Sequence, residues 1–175
     1  MKIYTRKGDE GMTSIRNGKR VSKNSKEIEA LGSIDELVAN LGLCKALCCQ
    51  YLLDEGRRHF LASTIEYIQR LLMKVMAVVA SQGKEKGVVG EEDVRHIEGI
   101  IDKACENLPP LKQFVVPGSN PLEACLHVAR TVCRRAERRA VSLKGLEPSV
   151  LALLNRTSDL LFVLARVASF NPHEK

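Results

Sequence analysis

From Asn24 onward, apolar side chains return at intervals of three and four residues, the spacing of one face of a helix. Ile28, Leu31, Ile34, Leu37, Val38 and Leu41 set the pattern for a first helix that runs to about Leu53. Asn24 followed by Glu27 predicts its N-cap. A second helix is expected from about Arg58 to Ala80, and Gln82–Gly87 reads as a polar loop. Glu91-Glu92-Asp93 supplies the acidic first turn of a third, which must end before Leu108-Pro109-Pro110. Residues 111–120 cannot be helical throughout and form a substantial loop. Asn120, Pro121 and Glu123 suit the cap, first-turn and N3 positions of a fourth helix, broken by Gly145. Pro148 starts a fifth, ending near Ser169. No strand pair is convincing and no segment repeats. Short connections between helices favour antiparallel neighbours. The expected fold is therefore all-α: a five-helix antiparallel bundle, residues 24–175, preceded by an ordered glycine-containing loop, residues 1–23, within one domain spanning 1–175.

Composition agrees with that fold. Hydrophobic residues make up 45% of the 175, enough for a real core, while aromatics are only 4% and Trp is absent. The six cysteines lack the paired spacing of a zinc site and read as small buried hydrophobes of a reducing compartment. Met1-Lys2-Ile3-Tyr4 leads straight into charged residues, unlike a secretory signal, and no apolar run approaches the ~20 residues of a membrane span. A cytoplasmic protein is expected. The formal charge of +6 favours an anionic partner but is small for a protein that coats nucleic acid.

That charge is concentrated. Between Arg130 and Arg139 stand five arginines and one glutamate. At about 100° per residue, Glu123, His127, Arg130, Arg134, Glu137 and Arg138 share one arc of the fourth helix. Leu122, Leu126, Ala129, Cys133, Ala136 and Ala140 share the neighbouring arc, which can face a core. Like charges four apart repel by a few tenths of a kcal/mol per pair, so helix stability does not explain the ridge. Either the ridge is solvated and salt-bridged or it meets a polyanion. Arg135 and Arg139 fall on the opposite side and read as plain solvated charges.

The opening segment offers a second cationic feature. Gly8 and Gly11 let the chain turn and expose backbone N–H groups, Thr5, Thr13 and Ser14 add hydroxyls, and Arg6, Lys7 and Lys23 add charge. This is either an anion cradle or a disordered basic tail; it lacks the ending of a Walker loop. On the last helix, Asn155, Asp159 and Arg166 share a stripe, with Asp159 suited either to structural pairing with an arginine or to a ligand. Asp35 and Glu36, early in the first helix, are similar: one of these carboxylates could orient an arginine of the opening segment. The four histidines, His59, His96, His127 and His173, are scattered without metal-site spacing. Phe114, in the loop before the arginine helix, reads on general grounds as an anchor packed into the bundle. No nucleophile–base constellation can be argued.

Several of these segments, in this order, resemble a known family: Thr5-Arg-Lys-Gly-Asp-Glu-Gly-Met-Thr-Ser14, Arg20-Val-Ser-Lys23, Ala30-Leu-Gly-Ser-Ile-Asp-Glu-Leu37, Phe114-Val-Val-Pro-Gly118, Leu126–Arg139 and Leu154-Asn-Arg-Thr-Ser-Asp-Leu-Leu-Phe162. They are similar to the PduO-type ATP:cob(I)alamin adenosyltransferases, which move the 5′-deoxyadenosyl group of ATP to cob(I)alamin, giving adenosylcobalamin and triphosphate. The resemblance covers nearly the whole chain except roughly residues 50–110. It implies a homotrimer with active sites between subunits. Thr5, Arg6, Lys7, Gly8, Thr13, Ser14 and Lys23 would hold ATP from the loop side, and Arg134, Glu137, Arg138 and Asn155 would complete the pocket. Asp35 and Arg130 match an intersubunit salt bridge near the corrinoid, and Phe114 matches a residue that presses on the lower corrin face and displaces the axial base. Mg²⁺ would bridge phosphate oxygens. A reductase and an adenosylcobalamin-dependent enzyme are the expected partners, with neither nucleic acid nor membrane. Lys7 departs from a frequent threonine, and Ser119 stands where a second glycine is frequent. The alternative is a non-catalytic basic helical module for nucleotide or nucleic acid, which the lack of aromatics on the ridge disfavours.

Overall fold

A computed structural model describes residues 3–16 and 18–170; Met1, Lys2 and His173, read above, lie outside the described residues. Within that range the helices are α1 (Lys26–Tyr51), α2 (Glu55–Ala80), α3 (Glu91–Cys105), α4 (Pro121–Val141) and α5 (Pro148–Ser169). Their ends follow local chemistry. Ser25, not Asn24, caps α1, its hydroxyl accepting the Ile28 N–H at 3.4 Å. Asn24 is turned away because its side-chain oxygen accepts the Ser22 hydroxyl at 2.6 Å. Asp54 caps α2 by accepting the Arg57 N–H at 2.7 Å, which starts that helix a turn earlier than its apolar pattern suggests. Asn120 caps α4 as its sequence predicts, accepting the Glu123 N–H at 2.9 Å.

Interhelical contacts set the arrangement. Glu29 and Glu36 of α1 meet Arg139 and Arg135 of α4, so the two run antiparallel. Asn155 meets Glu137 and Ala168 meets Asn120, so α4 and α5 do likewise. α2 packs on α1, and α3 packs on α5 in the same direction, with Arg156 on Glu98 and Ser149 on the Val89 carbonyl. Consecutive helices thus alternate in direction, and α4 sits between α1 and α5. The core is continuous across all five helices: Leu37, Ile65, Ile97, Leu126 and Leu153 are each fully buried. Where α2 leaves the bundle, a Cβ at Gly83 would lie 2.4 Å from the Gly145 carbonyl oxygen, so only glycine lets the two turns touch.

The opening segment is shaped, and it contains the strand pair that periodicity did not reveal. β1 (Met12–Ser14) and β2 (Arg20–Ser22) form an antiparallel hairpin with Thr13 opposite Val21. Strands of three residues are too short for alternation to register. Buried Ile15 and a 3.1 Å ion pair from Arg16 to Glu85 secure the hairpin to the bundle.

The cysteines divide rather than sharing one fate. All six are free thiols; Cys44, Cys48 and Cys133 are buried, while Cys49 and Cys105 are exposed. Burial pushes Cys44 and Cys133 up to about 12 and Cys48 to about 11. A thiol-disulfide reagent at pH 8 should therefore label Cys49 and Cys105 in the native protein and reach these three only after denaturation; mass mapping of the labelled peptides checks this.

Candidate active site

Helix α4 owes its position to small residues. Ala129, Cys133, Ala136 and Ala140 are fully buried, letting neighbouring backbones approach until the Cys133 thiol donates to the Leu154 carbonyl at 3.3 Å. The charged residues are thereby sorted by what covers each side. Arg135 pairs with Glu36, and Arg139 pairs with Glu29 and donates to the Ser33 hydroxyl. Those two are interhelical ties, correcting their reading as plain solvated charges: α1 covers the side of α4 that the charge pattern alone left open. Arg134 and Arg138 remain exposed, and among the described residues neither forms an ion pair.

Arg134, Glu137, Arg138, Val141 and Asn155 line a pocket of about 220 Å³. Asn155 donates to Glu137 at 3.0 Å, and its amide oxygen accepts from Arg156 at 2.6 Å. Arg156 is itself held by Glu98 at 2.8 Å and Asp159 at 3.7 Å. Asp159 is therefore a structural partner of an arginine, on the surface rather than buried. Arg138 donates to the Arg134 carbonyl at 3.1 Å, which keeps the two guanidinium-bearing side chains on one side of α4. The pocket thus has two unpaired cations, one carboxylate and an amide whose orientation is fixed from behind.

The upper half of the ridge is not a ridge. Glu123 and His127 are 1% and 4% exposed, because α5 and the loop before α4 cover them. Glu123 accepts the N–H groups of Gly118 and Ser119 at 2.7 and 3.1 Å and lies 3.1 Å from His127 Nε2. His127 stacks edge-on against Phe162, and burial pushes it below the usual imidazole range. Neutral near pH 7, its Nδ1 accepts the Arg130 Nε–H at 3.2 Å. Helical spacing placed these residues on the ridge's arc but carried no information about the loop and helix packed over its first two turns.

Phe114 is 98% exposed, with Val116 at 85%, so the phenyl ring is no anchor within this chain. Asp35 is exposed, and among the described residues no hydrogen bond or ion pair joins it to Arg130. In the opening segment, Lys23 approaches Gly8 so closely that a Cβ there would lie 3.1 Å from the ammonium nitrogen. Arg20 donates to the Lys7 carbonyl at 2.7 Å, and Arg6, at positive φ, stacks over Tyr4. Thr13 sits mid-strand, with Ser14 ending β1 and Thr5 exposed before the turn. Loop and α4 pocket are thus each formed, but no hydrogen bond or ion pair joins Thr5, Arg6, Lys7, Gly8, Thr13, Ser14 or Lys23 to Arg134, Glu137, Arg138 or Asn155 among the described residues. Sequence reasoning placed Glu123 at N3 but missed it and Arg156 as organisers; an acid three residues after an N-cap and an arginine flanked by Asn155 and Asp159 were the available signals.

The fold that carries this pocket is shared with solved structures. The chain superimposes with a TM-score of 0.84 and 32% identity on a point variant of a PduO-type ATP:corrinoid adenosyltransferase from Lactobacillus reuteri, complexed with cobalamin and ATP, covering 96% of this chain and 91% of that one. It is 37% identical to a corrinoid adenosyltransferase of Citrobacter freundii, over 98% of this chain and 97% of the relative. Against the corrinoid adenosyltransferase PduO of Salmonella typhimurium it is 38% identical over 99% of its length, but spans only 52% of that longer protein. The cobalamin adenosyltransferase family profile matches residues 3–168, and the chain belongs to that family.

The sorting of arginines has a measurable consequence. Half-exposed ion pairs are worth up to about 1 kcal/mol, so Arg135→Ala and Arg139→Ala should each lower unfolding free energy by that order. Arg138→Ala should change it by less than about 0.5 kcal/mol. Urea unfolding of the three variants measures the difference.

Proposed function

We propose that the protein is an ATP:corrinoid adenosyltransferase: it transfers the 5′-deoxyadenosyl group of ATP to cob(I)alamin, forming adenosylcobalamin and releasing triphosphate. The Co(I) centre attacks C5′, a cobalt–carbon bond forms, and the C5′–oxygen bond breaks with its electron pair leaving on the triphosphate. The metal is the nucleophile, so the protein needs neither a nucleophile nor a general base. Its buried thiols, raised to about 12 at Cys44 and Cys133, are unsuited to either role. Its task is to position two large substrates and stabilise charge on the leaving group.

The observation that carries this reading is the pair Arg134 and Arg138, exposed on the pocket and, among the described residues, without carboxylate partners while Arg135, Arg139 and Arg156 are all paired. Forked guanidinium donors suit phosphate oxygens. Glu137, oriented by Asn155, would meet the ribose or a phosphate-bound cation. Mg²⁺ is commonly held by one or two carboxylates together with substrate phosphates. Among the described residues no cluster of metal-binding side chains exists, and Glu137 is the carboxylate on the pocket, which fits a cation brought in by the nucleotide. Bound there, it would neutralise phosphate charge.

At about 220 Å³ the pocket is smaller than the roughly 300–1,000 Å³ usual for small-molecule sites. It suits part of ATP, which supports completion by a second chain. In a homotrimer, Thr5, Arg6, Lys7, Gly8, Thr13, Ser14 and Lys23 of one subunit would close over the α4 pocket of its neighbour. Asp35 would then pair with Arg130 across the interface, and exposed Phe114 would press on the lower corrin face, excluding the axial base and easing reduction of cob(II)alamin by a partner reductase. No described helix is long and apolar enough to cross a membrane.

Loss of one preorganised donor to a developing anion costs about 10²–10³-fold in turnover. Arg134→Ala should show that loss with helix content unchanged. The assay supplies ATP, Mg²⁺ and chemically reduced cobalamin and follows the photolabile cobalt–carbon product. Normal turnover of Arg134→Ala would refute its assignment, and absence of product with the unmodified protein would refute the function.

A further inference from the structure

The loop that carries Phe114 is held only at its ends. Among the described residues, 110–117 form no hydrogen bond with the rest of the protein. Upstream, the Arg166 guanidinium of α5 donates to the Pro109 carbonyl. Downstream, Glu123 of α4 accepts from the backbone of Gly118 and Ser119 at 2.7 and 3.1 Å. Phe114 lies about midway between these clamps, fully displayed.

Glu123 does more than end a helix. An acid at N3 ordinarily reaches back to the cap residue's own N–H. Here Asn120 already receives the Glu123 N–H, and the carboxylate passes beyond the cap to grip two amides of the loop. Gly118 can offer its amide because it adopts φ +126, which a side chain would resist. A carboxylate 99% removed from solvent is costly to bury unless its oxygens are used; one of them takes both loop amides, and the other lies 3.1 Å from His127 Nε2 without forming a hydrogen bond. His127 in turn accepts from Arg130 at 3.2 Å. Loop backbone, Glu123, His127 and Arg130 therefore lie in sequence, with hydrogen bonds at both ends and a close Glu123–His127 approach between them.

We infer that Glu123 and Arg166 are positioning residues for the corrinoid: they fix the two ends of the 110–119 loop so that Phe114 meets the corrin, and Glu123, through His127, holds Arg130 in register with it. Neither touches ATP in this scheme, which separates them from Arg134 and Arg138. The inference rests on the proposed corrinoid role of Phe114.

Steady-state kinetics of the full-length protein test it, with cobalamin and ATP varied separately for Glu123→Gln, Arg166→Ala and Phe114→Ala. Loss of a charged hydrogen bond at a loop clamp should raise the cobalamin KM about tenfold or more, with the ATP KM changed less than about twofold. The same two clamp variants should bind cob(II)alamin with a smaller base-displaced fraction in the visible spectrum. Arg166 contacts its carbonyl at the surface, so that variant keeps the test alive should Glu123→Gln fail to fold. If Phe114→Ala shifts the cobalamin parameters and the folded clamp variants do not, the positioning role is wrong and the Phe114 role stands. If Phe114→Ala shifts nothing, both fall. Equal increases in both KM values, or a fall in kcat alone, would mark the clamps as merely structural and overturn the inference.

Discussion

The close packing of α4 between α1 and α5 governs everything chemical in this protein. Alanines and a cysteine on its buried arc bring three helices together, and the thiol of Cys133 reaching the Leu154 carbonyl marks how near the backbones come. A helix gripped on two sides has little freedom to rotate. Its remaining arc therefore presents fixed groups, which is what electrostatic stabilisation of a transition state demands. Larger residues along that seam would separate the helices and move Arg134 and Arg138 relative to Asn155 on α5.

Charge is handled differently at different heights of α4. Toward its N-terminus an acid and a neutral imidazole are buried beneath the loop. Along one side, arginines are neutralised by Glu29 and Glu36 of α1. Toward the C-terminal end, beside Glu137 and Asn155, Arg134 and Arg138 form no ion pair among the described residues. Supported but unneutralised cations are poor stability elements and good anion sites. The hairpin at the start of the chain follows the same logic, with Gly8 leaving room for the Lys23 ammonium and Arg20 bracing the Lys7 carbonyl.

Helical spacing, capping signals and turn residues made the five helices legible, down to Asn120 and Pro148 at their starts. Boundaries slipped where a polar side chain had two suitors: Asn24 binds Ser22, leaving the cap to Ser25. The hairpin escaped notice because three residues carry no period. Within the candidate site, periodicity placed Arg134, Glu137 and Arg138 on one arc but could not separate them from Glu123 and His127, nor find partners for Arg135 and Arg139. Those distinctions depend on which neighbour covers a helix at which turn, and that is tertiary information. Phe114 shows the opposite case: general burial statistics favour an anchored ring, yet the ring is exposed.

The central claim is that the α4 pocket and the N-terminal loop act together across a subunit boundary. Mixing two separately impaired variants tests it most directly, one lacking Arg134 on the pocket side and one lacking Lys23 on the loop side. When they are co-refolded at equal concentrations, mixed assemblies should contain intact composite sites and recover a measurable share of adenosylcobalamin formation that neither parent shows. If both variants fold and co-assemble but activity stays at the parental level, loop and pocket do not combine between chains, and the account is contradicted.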